Sequence, residues 1–186
     1  GDVYKRQGVA RNVTALAQAE EELRFLAHHD PLTKLTNRSL FNDRLQAALH
    51  VAHRHQTSFA LLFLDINDFK GINDEHGHNM GDRVLCVIAQ RLQDCVRETD
   101  TVARMGGDEF IVLLTDIHPQ NSVSDKIAQI LAVMAEPLGA DFGELDMPSC
   151  SIGVACYPAD GEDADTLLSH ADGDMYRVKR RRAGAR

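Results

Sequence analysis

The 186-residue chain lacks any apolar run approaching the ~18 residues of a membrane span, and no secretory signal pattern is visible. The expectation is a cytoplasmic domain with no membrane contact in this stretch; a full-length protein could still be membrane-attached through regions outside it. Cysteine is sparse, and Cys86, Cys95, Cys150 and Cys156 form no Cys-x-x-Cys pair, which argues against zinc and thioredoxin-like chemistry. They read as buried reduced thiols of a reducing compartment. Positive charge is in deficit: the formal net charge is −8 and the pI about 5.5, which argues against nucleic acid as a partner. An acidic chain that binds an anionic nucleotide needs local Lys, Arg or a metal to offset the repulsion. Internal repeats and low-complexity segments are absent apart from the basic stretch 179–182. What is present, 44% hydrophobic and 26% charged residues, suits one globular domain plus a short extension.

Residues 1–7 fit no later pattern and read as a cloning or sequence-assembly scar. Residues 8–27 read as a linker helix: Val9, Leu16 and Leu23 recur seven apart, with Ala19 and Leu26 completing a short heptad seam. A two-stranded coil and an amphipathic helix lying on its own domain both fit that pattern. Asp30-Pro31 suits a turn, and Asn37 or Ser39 can cap a helix over 40–53. His50, His53 and His55 on that helix read as a solvated face without carboxylate partners. Residues 59–64 form an unbroken apolar strand. Helices follow over 81–96, 122–136 (stopped by Pro137) and 163–182, and alternation marks a strand over 150–156. Helices packed on a sheet with one hairpin give an α/β or α+β domain over 28–183.

The chemistry concentrates in Arg104-Met105-Gly106-Gly107-Asp108-Glu109-Phe110. Two glycines and two carboxylates ahead of Ile111-Val112-Leu113-Leu114 read as a tight turn entering a buried strand. The strand 59–64 ends in Asp65, so pairing of the two strands would let Asp65 and Asp108 face one another around a divalent cation. The spacing alone equally suits a hairpin with solvated acids.

Several stretches together resemble the GGDEF domain of diguanylate cyclases: 29–38 (His-Asp-Pro-Leu-Thr-Lys-Leu-Thr-Asn-Arg), 65–74 with Gly77-His78 and Gly81-Asp82, the 105–110 signature, 151–155, and Ala171-Asp172 through Lys179. The resemblance implies a five-stranded mixed sheet flanked by helices, related to nucleotidyl cyclases and polymerase palms. It implies condensation of two GTP into cyclic di-GMP with release of two pyrophosphates. In the implied site, Asp65, Ile66 (through its carbonyl) and Asp108 hold Mg²⁺, or Mn²⁺ in its place. Asp108 is also the base for the 3′-hydroxyl, Glu109 a second acid, and Lys70 stabilises charge on the phosphates. Gly106 and Gly107 leave room for phosphate, Phe69 and His78 belong to the substrate pocket, Asn73 and Asp82 read guanine, and Lys179 contacts phosphate. The resemblance also implies an inhibitory site for the product at Arg97 and Asp100, and Arg104, expected on the same strand side, would help hold that ligand. One domain holds one GTP, so the chemistry implies a homodimer. Residues 8–14 resemble the end of a PAS-type sensor, which implies an upstream sensor domain.

Three positions depart from the family pattern: Lys34 replaces a glycine, Asn67 replaces an aspartate, and Ala183 falls where an arginine is usual, with Arg182 beside it. A different class of function is a catalytically silent module that binds GTP or cyclic di-GMP.

Overall fold

A computed structural model of the chain describes residues 18–117 and 123–184. Helix α1 occupies 18–28. It is followed by α2 (Arg38–His55), β1 (Phe59–Ile66), α3 (Phe69–His76), α4 (His78–Asp94), β2 (Thr101–Gly106), β3 (Glu109–Leu114), α5 (Val123–Met134), a 3-10 turn (Ala140–Phe142), β4 (Cys150–Tyr157) and α6 (Ala164–Ala183). Val9, Leu16, the sensor-like 8–14 and the leader 1–7 lie outside the described residues. Of the proposed seam, Leu23 and Leu26 are exposed on α1.

The sheet runs β2-β3-β1-β4, and every ladder is antiparallel. This corrects the expected five-stranded mixed sheet. Among the described residues, parallel pairing is reduced to one bridge, Thr36 to Ala103, because the loop before α2 touches β2 at a single residue and never forms a ladder.

β1 reads as a continuous apolar run because both of its faces are covered. Leu62, Leu64 and Ile66 pack with Val84, Leu85, Ile88 and Leu92 of α4 and with Ile130 and Met134 of α5. Phe59, Leu61 and Phe63 pack on the other face against Phe41 and Leu45 of α2 and Leu167, Ala171 and Met175 of α6. By the period-two alternation of a strand, Asp65 belongs to the second face, beneath α6. β4 approaches α6 most closely at Gly153. A Cβ there would lie 2.0 Å from the Met175 amide nitrogen and 2.1 Å from the Ala171 carbonyl oxygen, so backbone leaves no room for a side chain.

The helix ends follow their sequence signals. Asn37 is the cap of α2, its Oδ1 accepting from Leu40 N–H at 3.0 Å, and Asp163 caps α6 through Thr166 N–H at 2.9 Å. Asn37 also donates its Nδ2 to the Ala27 carbonyl at 3.0 Å, tying the end of α1 to the start of α2. Lys34, in the family's glycine position, sits at φ 63°, a left-handed conformation that a glycine adopts at less cost. All four cysteines are free; Cys95 and Cys150 are buried, whereas Cys86 and Cys156 are half-buried rather than fully so. Burial pushes the Cys150 thiol up to about 11, which keeps it inert.

Candidate active site

The acidic end of the sheet is set by register. Gly106 pairs with Glu109, so Gly107 and Asp108 form a two-residue turn, and an irregularity between Arg104 and Gly106 leaves Met105 bulged. β1 then pairs with β3 so that Asp65 is directly opposite Glu109, with Ser151 of β4 on its other side. The cross-strand partner of Asp65 is thus Glu109 rather than Asp108. Asp108 lies on the turn one residue further out, where its carbonyl oxygen accepts the Ile66 N–H at 3.2 Å. Gly106 (φ 143°) and Gly107 (φ 54°) hold conformations that side-chain-bearing residues rarely adopt, and a Cβ on either would meet nothing within 4 Å. Backbone shape requires these glycines, and the space beside them is open to a ligand.

Two arginines fix that turn. Arg104 donates through Nη2 and Nε to the Gly107 carbonyl at 2.7 and 3.0 Å, and through Nη1 to both carboxylate oxygens of Asp30 at 3.2 Å. Arg38 donates to the Met105 carbonyl at 3.2 Å through Nη2. Asp30 in turn accepts from the Thr33 amide and hydroxyl, each at 2.7 Å. In the sequence Asp30 reads only as a turn residue beside Pro31, and Arg38 only as the end of the 29–38 motif. Their contacts span 74 and 67 residues, which no local pattern encodes.

Asp65 is only 8% exposed, and its Oδ1 lies 2.5 Å from Lys179 Nζ of α6. Burial pushes Asp108 up from the usual carboxylate range, and the neighbouring Asp65 adds to this. Burial also raises Glu109, reinforced by Asp108, Asp65 and Asp172. At the end of β3 burial, with repulsion among neighbouring acids second to it, thus disfavours the charged forms of Asp108 and Glu109. The donors are all hard oxygen atoms, which suits Mg²⁺ or Mn²⁺ over a softer metal. Among the described residues no three acids converge on one cation position. That is compatible with Mg²⁺, which is commonly held by one or two carboxylates together with substrate phosphates.

The expected nucleotide residues lie on the short helix α3 and the start of α4. Lys70 is exposed on the first turn of α3, and Phe69 is half-buried against the α4 side of the core. Asn73 is half-buried, while His78 and Asp82 are exposed on the first turns of α4. Asn67 bonds away from the acids: Ser151 Oγ donates to its Oδ1 and its Nδ2 donates to Ser149 Oγ, both at 2.9 Å. Arg182 donates to the Cys150 carbonyl at 2.7 Å, at the edge of the sheet end that carries Asp65.

The three residues expected to form a product-binding site are divided. Arg97 and Asp100 sit at the opposite end of the β2–β3 hairpin. There Asp100 accepts from the Arg97 amide and the Thr115 amide, each at 3.0 Å, beside a cleft of about 190 Å³ that Lys126 and Gln129 also line. Arg104 is not with them; it is committed to the glycine turn. His50, His53 and His55 are exposed, as expected of a solvated face; His50 and His53 line a cleft with Glu162, Asp163 and Asp165, but among the described residues no metal-holding cluster forms there. His50 Nδ1 is already bonded to the Gln46 carbonyl at 2.8 Å.

An antiparallel sheet with an acidic, glycine-shaped hairpin at one end and helices on both faces is a class of nucleotide-handling α+β domain. The chain belongs to the family described as "Diguanylate cyclase, GGDEF domain", which matches residues 27–185. It is 42% identical over 166 residues to the bifunctional diguanylate cyclase/cyclic di-GMP phosphodiesterase MucR of Pseudomonas aeruginosa, covering 89% of this chain. It is 43% identical over 160 residues to diguanylate cyclase TpbB of the same organism, covering 86% of this chain. The chain spans only 24% of MucR and 37% of TpbB. The solved GGDEF domain of TpbB superposes with a TM-score of 0.79 at 42% identity, covering 83% of this chain and 90% of that one. These relatives make the chain a diguanylate cyclase or a related GGDEF protein. Among the described residues no helix is long and apolar enough to cross a membrane.

Proposed function

We propose that this domain is an active diguanylate cyclase, joining two GTP into cyclic di-GMP and releasing two pyrophosphates. The observation that carries the reading is the acidic hairpin: Asp65 opposite Glu109, with Asp108 on a glycine turn anchored by Arg104 and Arg38. Asp65, the Ile66 carbonyl and Asp108 would hold Mg²⁺ or Mn²⁺. The ion, when bound, would offset phosphate charge and favour ionisation of the 3′-hydroxyl. Asp108 accepts the proton of that hydroxyl. Lys70 and Lys179 neutralise charge on the phosphates, and Asn73 and Asp82 select guanine, with Phe69 and His78 bordering the pocket. Two domains meet face to face because each supplies one GTP. An upstream sensor domain would govern that encounter through α1, and cyclic di-GMP would bind at Arg97 and Asp100.

The alternative, a catalytically silent binding module, is favoured by one observation: two relatives matched along most of this chain, NbdA of Pseudomonas aeruginosa and PdeR of Escherichia coli, are named as cyclic di-GMP phosphodiesterases and not as cyclases. Retention of Asp65, Asp108 and Glu109 at one sheet end supports catalysis instead. Incubation with GTP and Mg²⁺ followed by chromatography separates the two readings. Cyclic di-GMP is expected from the parent, with a loss of at least about a hundredfold in Asp108→Ala. No product from a folded, GTP-binding parent would decide for the silent module.

A further inference from the structure

Helices α3 and α4 form a tight pair joined at Gly77, whose N–H closes α3 on the Asn73 carbonyl at 2.9 Å. Gly77 holds φ 82° and its own carbonyl accepts from Met80 and Gly81, so α4 starts immediately. Gly81 is buried in the first turn of α4 and faces back onto α3. A Cβ at Gly81 would lie 2.1 Å from Asn73 Oδ1, 3.0 Å from Asn73 Cγ and 3.1 Å from Phe69 Cζ. The Asn73 amide therefore occupies the space that any side chain at position 81 would take. Helix conformation does not ask for glycine here, since alanine is favoured in a helix interior by about 1 kcal/mol. Glycine at this point makes sense as room for the amide.

We infer that Gly81 is a specificity-determining positioning residue: by lacking a side chain it seats the Asn73 amide beside Asp82, so that donor and acceptor converge on one purine edge. The inference rests on the reading of Asn73 and Asp82 as the guanine pair. With Oδ1 turned onto Gly81, Nδ2 is the amide atom left to donate to guanine's acceptor edge, while the Asp82 carboxylate accepts from its donor edge. A methyl at 81 displaces the amide and leaves Asp82 to read the base alone.

The test is a double-mutant cycle of Gly81→Ala and Asn73→Ala, read by calorimetry with the non-hydrolysable α,β-methylene analogues of GTP and ATP, with thermal unfolding as the fold control. Gly81→Ala is expected to weaken the guanosine analogue about tenfold, the size of one lost hydrogen bond, and to leave the adenosine analogue unchanged. In the Asn73→Ala background the same change should cost less than twofold, because the group it displaces is gone. Equal losses in both backgrounds, or a Gly81→Ala protein that binds within twofold of the parent, would overturn the inference. If Asn73→Ala itself leaves GTP affinity unchanged, the guanine reading fails and the inference falls with it. Should Gly81→Ala fail to fold, the double variant decides: recovery of folding identifies Asn73 as the group displaced, and continued failure places the collision elsewhere and overturns the proposal.

Discussion

Replacing Asp30 by asparagine tests whether the glycine turn is held by a partly buried ion pair. The side chains of Arg104 and Asp30 are 13% and 18% exposed, with Nη1 3.2 Å from Asp30 Oδ2. Exposed pairs contribute about 0–1 kcal/mol, and breaking a buried pair costs about 3–5 kcal/mol. A pair this shielded, whose arginine keeps the Gly107 carbonyl after the change, falls between these limits, at about 2–3 kcal/mol. Asparagine retains an acceptor for Thr33 but replaces the other oxygen, which faces Arg104, with a donor, so the loss covers the charge and a hydrogen bond from Arg104 Nη1 together. The pH dependence supplies the sign. Burial pushes the Asp30 carboxyl upward, but the Thr33 amide and hydroxyl and the Arg104 guanidinium outweigh it and hold the group below its usual value. A depressed carboxylate contributes stability above its unfolded pKa of about 3.9, and that contribution is lost as pH falls through the folded value. Asp108 and Glu109 are shifted the opposite way, but they titrate in both proteins and cancel in the difference. Urea unfolding of parent and Asp30→Asn should therefore show the full gap at pH 7 and a shrinking gap below about pH 4. A gap under about 0.5 kcal/mol at pH 7, or one that stays constant down to pH 3.5, would refute the clamp.

Three further outcomes follow from the geometry. Gly153→Ala places a methyl 2.0 Å from the Met175 amide nitrogen, where backbone must move; the expected cost is about 3 kcal/mol and a fall of about 6–12 °C in Tm, and an unchanged Tm would show that β4 and α6 separate freely. Lys179→Ala leaves Asp65 without its cation, so without divalent ion the fold should lose about 1 kcal/mol, and Mg²⁺ should raise Tm more in the variant than in the parent; an equal Mg²⁺ response would count against competition for Asp65. If Arg97 and Asp100 bind product, Arg97→Ala should start at the parental rate yet accumulate more cyclic di-GMP. Progress curves that level off together, with no cyclic di-GMP bound by the parent, would remove that site.

What could be read from the sequence divides along the range of the interactions. β1, α4 and α6 were legible because each buries a regular set of positions: both faces of a covered strand, or one stripe of a helix. α3 was not, because it buries none of its residues and so has no apolar stripe to betray it, and Gly77 right after it reads as loop. The acids were found as residue types at strand ends, but their pairing depends on the size of the turn. With Met105 bulged and Gly107-Asp108 alone in the turn, Glu109 rather than Asp108 comes opposite Asp65. The lysine at Asp65 comes from 114 residues away, and Asp30 and Arg38 reach Arg104 and the Met105 carbonyl from 74 and 67 residues away. Lying on one strand side does not bring Arg104 to Arg97: a strand carries its residues apart at about 3.4 Å each, and Arg104 turns to Gly107 while Arg97 stays with Asp100 at the start of β2. That separation has a consequence for mechanism. Anything that binds Arg97 and Asp100 touches β2 and β3 at the end remote from the acids, where Asp100 is bonded to Thr115. The hairpin itself runs from there to Asp108, and Asp30 and Arg38 hold its other end against the segment that follows α1. Asp30, Arg38 and Arg104 thus anchor the acid-bearing turn to the segment between α1 and α2, while Asp100 and Thr115 tie the two strands at the other end.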